Sequence, residues 1–187
     1  MEYKATIEEE NKEIAKRYKN LLKETYQTLS RSDKLLIRKA FNLSVEAHSN
    51  QRRKTGEPYI FHPISVAKIV ANEIGLGAVS IVAALLHDVV EDTKYTINDI
   101  EQLFGETVAR IVSGLTKISS LKKDKDHSIQ AENFRKMLLT LHDDVRVILI
   151  KVADRLHNMQ TMDAMPAYKQ VKIASETLYI YAPLAHR

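Results

Sequence analysis

The chain has 187 residues, 44% of them hydrophobic and 28% charged, proportions typical of one soluble globular domain. It contains no cysteine, which excludes disulfides and thiolate metal sites, so any metal must be held by histidine and carboxylate groups. A formal net charge of +4 suits an anionic ligand, whereas the few aromatic residues and the lack of tryptophan argue against a nucleic-acid surface.

The N-terminus and the apolar stretches bear on targeting. Residues 1–13 lack the basic start and the apolar core of a signal peptide. The longest apolar stretches, at 78–86 and 145–153, are interrupted and far shorter than a bilayer span. We therefore expect a cytoplasmic protein that makes no membrane contact.

Apolar residues follow a helical spacing throughout, and no pair of alternating runs is joined by a turn signal, so the sequence predicts an all-α fold. The first helix is expected at about 7–29, where a thin apolar stripe crosses a heavily charged surface. The second is expected at about 33–50, with Ser32 as its N-cap. A basic loop with turn residues follows at 51–58.

The third predicted helix starts near Pro63, a residue favoured in the first turn, and ends before Gly75. The next, at 78–91, is apolar almost all round, which predicts a central place in the core. Shorter helices are predicted from a Thr96 cap to Phe104 and over 106–118, a lysine-rich surface loop over 116–128, and further helices at about 130–140, 145–162 and 167–181. Since no repeat or linker is evident, we predict a single domain over 1–187.

Four ionisable residues end the helix predicted at 78–91: His87, Asp88, Glu91 and Asp92. On a continuous helix they would lie within an arc of roughly 140°. Burying an unpaired charge is costly, so such groups are usually paired or bound to a metal. The alternative is a solvated helix end, although acidic groups at a helix C-terminus oppose the helix dipole.

The helix predicted at 145–162 shows a similar anomaly. Lys151, Asp154, Asn158 and Thr161 share an arc of roughly 80° on an otherwise apolar helix. A simple ion pair between Asp154 and the neighbouring arginine is the alternative interpretation.

A further histidine, His62, precedes Pro63, where capping or packing is the more common role. Combined with the two helices, it completes the order His…His-Asp…Asp. Neutral imidazole and carboxylate suit a borderline-to-hard divalent ion, which favours Mn²⁺, with Fe²⁺, Zn²⁺ and Mg²⁺ as alternatives.

These residues and their neighbours resemble the HD superfamily of phosphohydrolases and, within it, the RelA/SpoT homologues, which make and break guanosine tetra- and pentaphosphate. The matching stretches are 53–63 (RKTGEPYIFHP), 85–93 (LLHDVVEDT), 104–105 (FG), 114–117 (GLTK) and 151–159 (KVADRLHNM). The resemblance runs from about Leu29 to the C-terminus, so the N-terminal helix, up to about residue 28, lies outside it.

The resemblance implies an HD-domain helical bundle with a metal site in the core between helices. The implied metal ligands are His62, His87, Asp88 and Asp154. The implied catalytic acids are Glu91 and Asp92. The implied substrate contacts are Arg53, Lys54, Thr55, Asn158 and Thr161. Gln160 departs from the family, whose members often carry arginine at this position.

The implied reaction is the metal-dependent removal of pyrophosphate from the 3′ position of guanosine tetra- or pentaphosphate, which returns GDP or GTP. In long family members the C-terminal residues lead into a synthetase domain, so the resemblance implies a hydrolase fragment of a bifunctional enzyme. One alternative is an HD phosphohydrolase or phosphodiesterase acting on another nucleotide, which the loop of Arg53 and Lys54 disfavours. The other is a nucleotide-sensing module without turnover, which the intact Glu91 and Asp92 disfavour.

Overall fold

The computed structural model describes residues 5–25, 28–121 and 144–182. Within these ranges the regular structure is helical, apart from one isolated bridge between Arg52 and Pro58, and the all-α prediction is confirmed. The α-helices are α1 Ile7–Glu24, α2 Arg31–Ala47, α3 Phe61–Lys68, α4 Ala78–Leu85, α5 Val89–Asp92, α6 Ile97–Phe104, α7 Glu106–Leu121, α8 Val145–Gln160 and α9 Ala167–Glu176. A wider π-type turn extends α3 over Ile69–Glu73 and α9 over Thr177–Tyr181, and a short 3₁₀ turn, Met162–Ala164, follows α8. None of the helices in the described ranges is long and apolar enough to cross a membrane.

Capping boxes begin α1, α2 and α6. In α6 the Thr96 hydroxyl accepts from the Asp99 N–H, and the Asp99 carboxylate accepts from the Thr96 N–H, which confirms Thr96 as the cap. The predicted cap of α2, Ser32, is wrong. The cap is Ser30, because Asp33 stands three residues after it and can complete the reciprocal pair.

The core is built around α4, as its apolar sequence predicts. Ile81, Val82 and Leu85 are fully buried. Helices α2, α3 and α7 pack against α4, and α8 packs against α3 and α7. The charged helix α1 crosses α3 and contributes Leu21, which has no exposed surface. The prediction of a single domain over 1–187 stays a prediction.

The helix predicted over 78–91 is not continuous, so the arc calculated for its ionisable residues does not apply. Helix α4 ends at Leu85, and residues 86–88 form a turn before α5. The imidazole Nδ1 of His87 donates a hydrogen bond of 2.8 Å to the carbonyl of Ala84. In a continuous helix that carbonyl would accept from the backbone N–H of Asp88. The side chain therefore replaces a backbone donor where the helix ends.

Several predicted boundaries differ from the structure. Helix α1 ends at Glu24 rather than near 29, and α3 begins at Phe61, two residues before the predicted proline start. Helix α7 runs to Leu121, so the loop prediction is wrong for 116–121, and Ile118 within this stretch is buried. The rest of that loop and the helix predicted at 130–140 lie outside the described residues.

Candidate metal centre and substrate pocket

Three helical segments bring His62, His87 and Asp154 together. His62 comes from the first turn of α3, His87 from the turn after α4, and Asp154 from the middle of α8. One potential ligand atom of each lies within 4.8 Å of the others. The Nε2 of His62 is 3.2 Å from Asp154 Oδ1, and the Nε2 of His87 is 3.9 Å from the same oxygen. Both histidines are almost completely buried.

The fourth predicted ligand, Asp88, joins this group. Its Oδ2 lies 2.9 Å from His87 Nε2 and 3.7 Å from His62 Nε2. The same oxygen accepts a 2.6 Å hydrogen bond from the hydroxyl of Tyr59. The four residues that the sequence singled out are thus neighbours in space, and we refer to them as the His/Asp cluster.

The hydrogen bonding of His87 tests whether this cluster suits a metal. A carbonyl only accepts, so the bond to Ala84 keeps a proton on Nδ1 of His87, and in the neutral ring the lone pair lies on Nε2. That Nε2 is buried, and no group in the described part of the chain makes a hydrogen bond of good geometry with it, although a carboxylate oxygen of Asp88 lies 2.9 Å away. In that neutral form the imidazole nitrogen and the carboxylate oxygen are both acceptors that face each other, so they need either a proton or a metal cation between them. The residues present fit a divalent metal ion.

The charges of the residues in the cluster also suit a bound metal ion. Burial opposes ionisation of Asp88, but His87 beside it holds the pKa of this carboxyl well below its usual range. Burial also opposes ionisation of Asp154, yet the hydrogen bond with His62 and the nearby Lys151 ammonium keep its pKa low. Burial disfavours a charged His87, but the negative charge of the neighbouring Asp88 outweighs the effect of burial and raises the pKa of His87. A bound cation would take the place of that proton.

Two residues around the cluster, His157 and Tyr59, belong to the matching stretches but are not among the predicted site residues. The Nδ1 of His157 lies 2.8 Å from the Nδ1 of His62, and the hydroxyl of Tyr59 donates a hydrogen bond to the carboxylate of Asp88. Burial, His62 and Arg53 lower the pKa of His157 to about 3, so its ring is neutral at physiological pH. Spacing could have indicated His157, which stands three residues after Asp154 on α8, about one helical turn. Tyr59 lies before α3, and its contact with Asp88 has no signal in the sequence.

On the substrate side, Arg53 from the loop before α3 meets the end of α8. One terminal nitrogen of its guanidinium donates to Thr161 Oγ1 at 2.7 Å, and both terminal nitrogens lie 3.4 Å from Asn158 Oδ1. The amide of Asn158 donates in turn to Asp154 Oδ1 at 2.6 Å. A continuous series of contacts therefore links Arg53 to the His/Asp cluster.

The other two predicted substrate contacts are placed differently. Lys54 is exposed on the loop surface, and the hydroxyl of Thr55 is buried without a hydrogen-bond partner among the described residues. Neither side chain joins the group formed by Arg53, Asn158 and Thr161. The structure thus brings together three of the five predicted substrate residues.

The predicted catalytic acids end α5. Glu91 and Asp92 are both exposed, and the backbone N–H of Asp92 donates to the carbonyl of Asp88 at 2.9 Å. Partial desolvation of its carboxyl group by neighbouring atoms, followed by the charges of Asp88 and Glu91, raises the pKa of Asp92. The Gln51 side chain donates to the Asp92 carbonyl at 3.0 Å. The two acids therefore stand one turn beyond Asp88, open to solvent.

The chain is similar to several known proteins in sequence and in fold. The family model of the HD domain matches residues 40–187. The bifunctional (p)ppGpp synthase/hydrolase SpoT of Escherichia coli K12 is 52% identical over 151 residues, which cover 81% of this chain and 21% of that protein. The guanosine-3′,5′-bis(diphosphate) 3′-pyrophosphohydrolase of Aquifex aeolicus is 50% identical over 151 residues, again 81% and 21%. This chain thus spans about a fifth of the length of these curated relatives.

A solved structure is also similar. It is that of a metazoan SpoT ortholog that hydrolyses ppGpp and plays a role in starvation responses. The two chains are 31% identical with a TM-score of 0.61, and the match covers 78% of this chain and 82% of the other.

Proposed function

We propose, from the premise that this chain belongs to the HD-domain family and to its RelA/SpoT branch, that it is a hydrolase of guanosine tetra- and pentaphosphate. The reaction removes pyrophosphate from the ribose 3′ position and returns GDP or GTP. The observation that carries the proposal is the series of contacts from Arg53 through Asn158 to Asp154. A cation suited to phosphate that lies next to a cluster suited to a metal ion supports the hydrolysis of a polyphosphate nucleotide.

His62, His87, Asp88 and Asp154 would hold the metal ion, which we propose to be Mn²⁺, with Fe²⁺, Zn²⁺ and Mg²⁺ as alternatives. Their mixed imidazole and carboxylate groups support a borderline-to-hard divalent ion. Such an ion, when bound, lowers the pKa of water and polarises a phosphate oxygen.

The remaining roles belong to residues at the rim of the cluster. Glu91 or Asp92 would position the attacking water or take its proton, and the raised pKa of Asp92 brings that carboxyl closer to the range suited to proton transfer near neutral pH. Arg53 would offset the negative charge of the substrate, and Asn158 and Thr161 would fix the direction of its guanidinium. We propose Lys54 and Thr55 as substrate contacts because the family resemblance implies that role.

The proposal is tested by incubating the purified chain with guanosine tetraphosphate and Mn²⁺ while measuring GDP and pyrophosphate. We expect both products in equal amounts, and none from the Asp154→Ala variant. Turnover of other nucleotides in preference to guanosine tetraphosphate would favour a different HD phosphohydrolase. Tight binding without turnover would favour a sensing module.

Two wider proposals follow from the relatives. Because one of them is named as a bifunctional synthase/hydrolase and is about five times longer than the matched region, we propose that a synthetase region accompanies this hydrolase region. We also propose a cytoplasmic location, since a guanine nucleotide substrate is met inside the cell.

A further inference from the structure

Helix α1 lies before the residues that the HD family model matches, 40–187, yet it is attached to the proposed substrate loop. The attachment is a pair between Glu10 and Arg52. The two terminal nitrogens of the Arg52 guanidinium donate to the two carboxylate oxygens of Glu10 at 2.6 Å and 3.0 Å. Glu10 is only 7% exposed, whereas the Arg52 side chain is half-exposed, so the carboxylate is largely removed from water and Arg52 covers it from the surface.

The loop itself turns back sharply between Arg52 and Pro58, which form the isolated bridge. The Arg53 N–H donates to the Glu57 carbonyl at 2.9 Å, and Gly56 adopts the positive φ of 91° that the tight turn requires. Arg52 contacts Glu10 of α1, while the next residue, Arg53, contacts Asn158 and Thr161 at the end of α8.

Helix α1 is itself fixed against α3, the helix that carries His62. The guanidinium carbon of Arg17 lies 4.0 Å above the ring of Phe61, the residue before His62. An ion pair of 2.6 Å joins Lys68 to Glu24 at the far end of the helix, and Leu21 is fully buried between these contacts. A residue on α1 therefore has a defined position relative to the His/Asp cluster.

We propose that Glu10 is a positioning residue for the substrate pocket: by holding Arg52 in a two-point ion pair, it fixes the loop from which Arg53 reaches the substrate. This inference rests on the proposed function. A carboxylate paired with both arms of a guanidinium sets direction as well as distance, because the arginine fork is planar and rigid. Helix α1 thus forms part of the substrate site without touching the substrate.

The test compares Glu10→Gln with Glu8→Gln, a control on the same helix whose partner, Lys12, lies on the surface. Glu10→Gln keeps the side-chain volume and removes the charge. We expect KM for guanosine tetraphosphate to rise about fivefold or more, with kcat within about twofold and Mn²⁺ affinity unchanged, because only the placement of Arg53 is lost. Arg52→Lys, which keeps the charge but not the fork, should give the same pattern. Glu8→Gln should match the parent in all three quantities.

Hydrogen exchange of the 51–59 backbone provides a second measurement. Glu10→Gln should speed exchange at the amides of Arg53, Gly56 and Tyr59, which are bonded within the loop, and leave the amides of α4 unchanged. Faster loop exchange with an unchanged KM would overturn the inference, as would a KM that rises together with a proportional fall in kcat and metal affinity.

A parent chain without hydrolysis would contradict the proposed function instead. In that case the affinity of the parent and of Glu10→Gln for inorganic pyrophosphate would test the positioning role of Glu10. Weaker binding by Glu10→Gln would support that role, and equal affinities or no binding by either protein would reject it.

Discussion

The Nδ1 atoms of His62 and His157 lie 2.8 Å apart, close enough that one ring must donate to the other. A cation on the Nε2 of His62 would require the proton of that ring to be on Nδ1, so His62 would donate and His157 would accept. The low pKa of His157 keeps it neutral and able to accept. His157 therefore supports the orientation and the tautomer of a proposed ligand.

Replacing His157 with Phe should weaken Mn²⁺ binding by about 10- to 100-fold, the usual cost of losing a partner of a metal ligand. The variant keeps an aromatic ring beside His62 but cannot accept a hydrogen bond. Competition with a chromophoric chelator measures the affinity. Gln160→Ala, an exposed change on the same helix, serves as the control. Equal affinity of His157→Phe and the parent would contradict the proposed contact.

Asp154→Ala should abolish metal binding, because this carboxylate comes from α8 and contacts both histidines of the cluster. Metal content after equilibration with Mn²⁺ and gel filtration checks the expectation. Asp163→Ala removes an exposed carboxylate a few residues later and should bind metal as the parent does. A full equivalent of metal in Asp154→Ala would show that the ligand set is wrong.

Glu91→Gln and Asp92→Asn should each reduce hydrolysis by at least about 10²-fold, the usual scale for a positioned proton transfer. Both should retain Mn²⁺, since these side chains are exposed and lie beyond the cluster. Rates of pyrophosphate release, measured beside the exposed control Glu101→Gln, provide the comparison. Parent rates in both variants would mean that the two acids form only a solvated helix end.

Arg53→Ala should raise KM for guanosine tetraphosphate more than Lys54→Ala does. The structure holds the Arg53 guanidinium against Asn158 and Thr161, whereas Lys54 is exposed. The effect of Arg53→Ala on a small phosphomonoester should be smaller, because that substrate lacks the extra phosphate groups. Steady-state kinetics with both substrates test this, and an equal loss for both would favour a generic phosphohydrolase.

Leu21→Ala should lower the free energy of unfolding by about 2–5 kcal/mol, the range for truncating a buried leucine. Leu21 has no exposed surface, although it belongs to the charged helix α1. Leu35→Ala, at a largely exposed position of α2, should change stability little. Urea denaturation of the two variants and the parent measures the difference. A negligible effect of Leu21→Ala would show that α1 is not packed on the core.

The cluster could be predicted from the sequence because its members interrupt apolar helices at a few places, and charge inside an apolar pattern stands out. The thin stripe of α1 was equally visible, and Leu21 confirms that it faces the core. The pairing of Glu10 with Arg52 could not be predicted. Both residues sit in charged surroundings where a solvated side chain is the usual outcome, and 42 residues separate them. Only the fold shows that one acid of α1 is buried.

The end of α4 could not be predicted either, because the helical spacing of apolar residues continues through residues 86–88. The helix ends there because the His87 side chain forms a hydrogen bond with the Ala84 carbonyl.

That interruption of the helix limits how the site can be transferred to another protein. Side chains of neighbouring residues in a regular helix point in directions about 100° apart. That angle would separate the His87 imidazole from the Asp88 carboxylate, which lie 2.9 Å apart in this structure. A designer who grafted only the dipeptide His87-Asp88 onto a straight helical scaffold would lose their convergence. The graft would have to include the turn and the carbonyl that holds the imidazole.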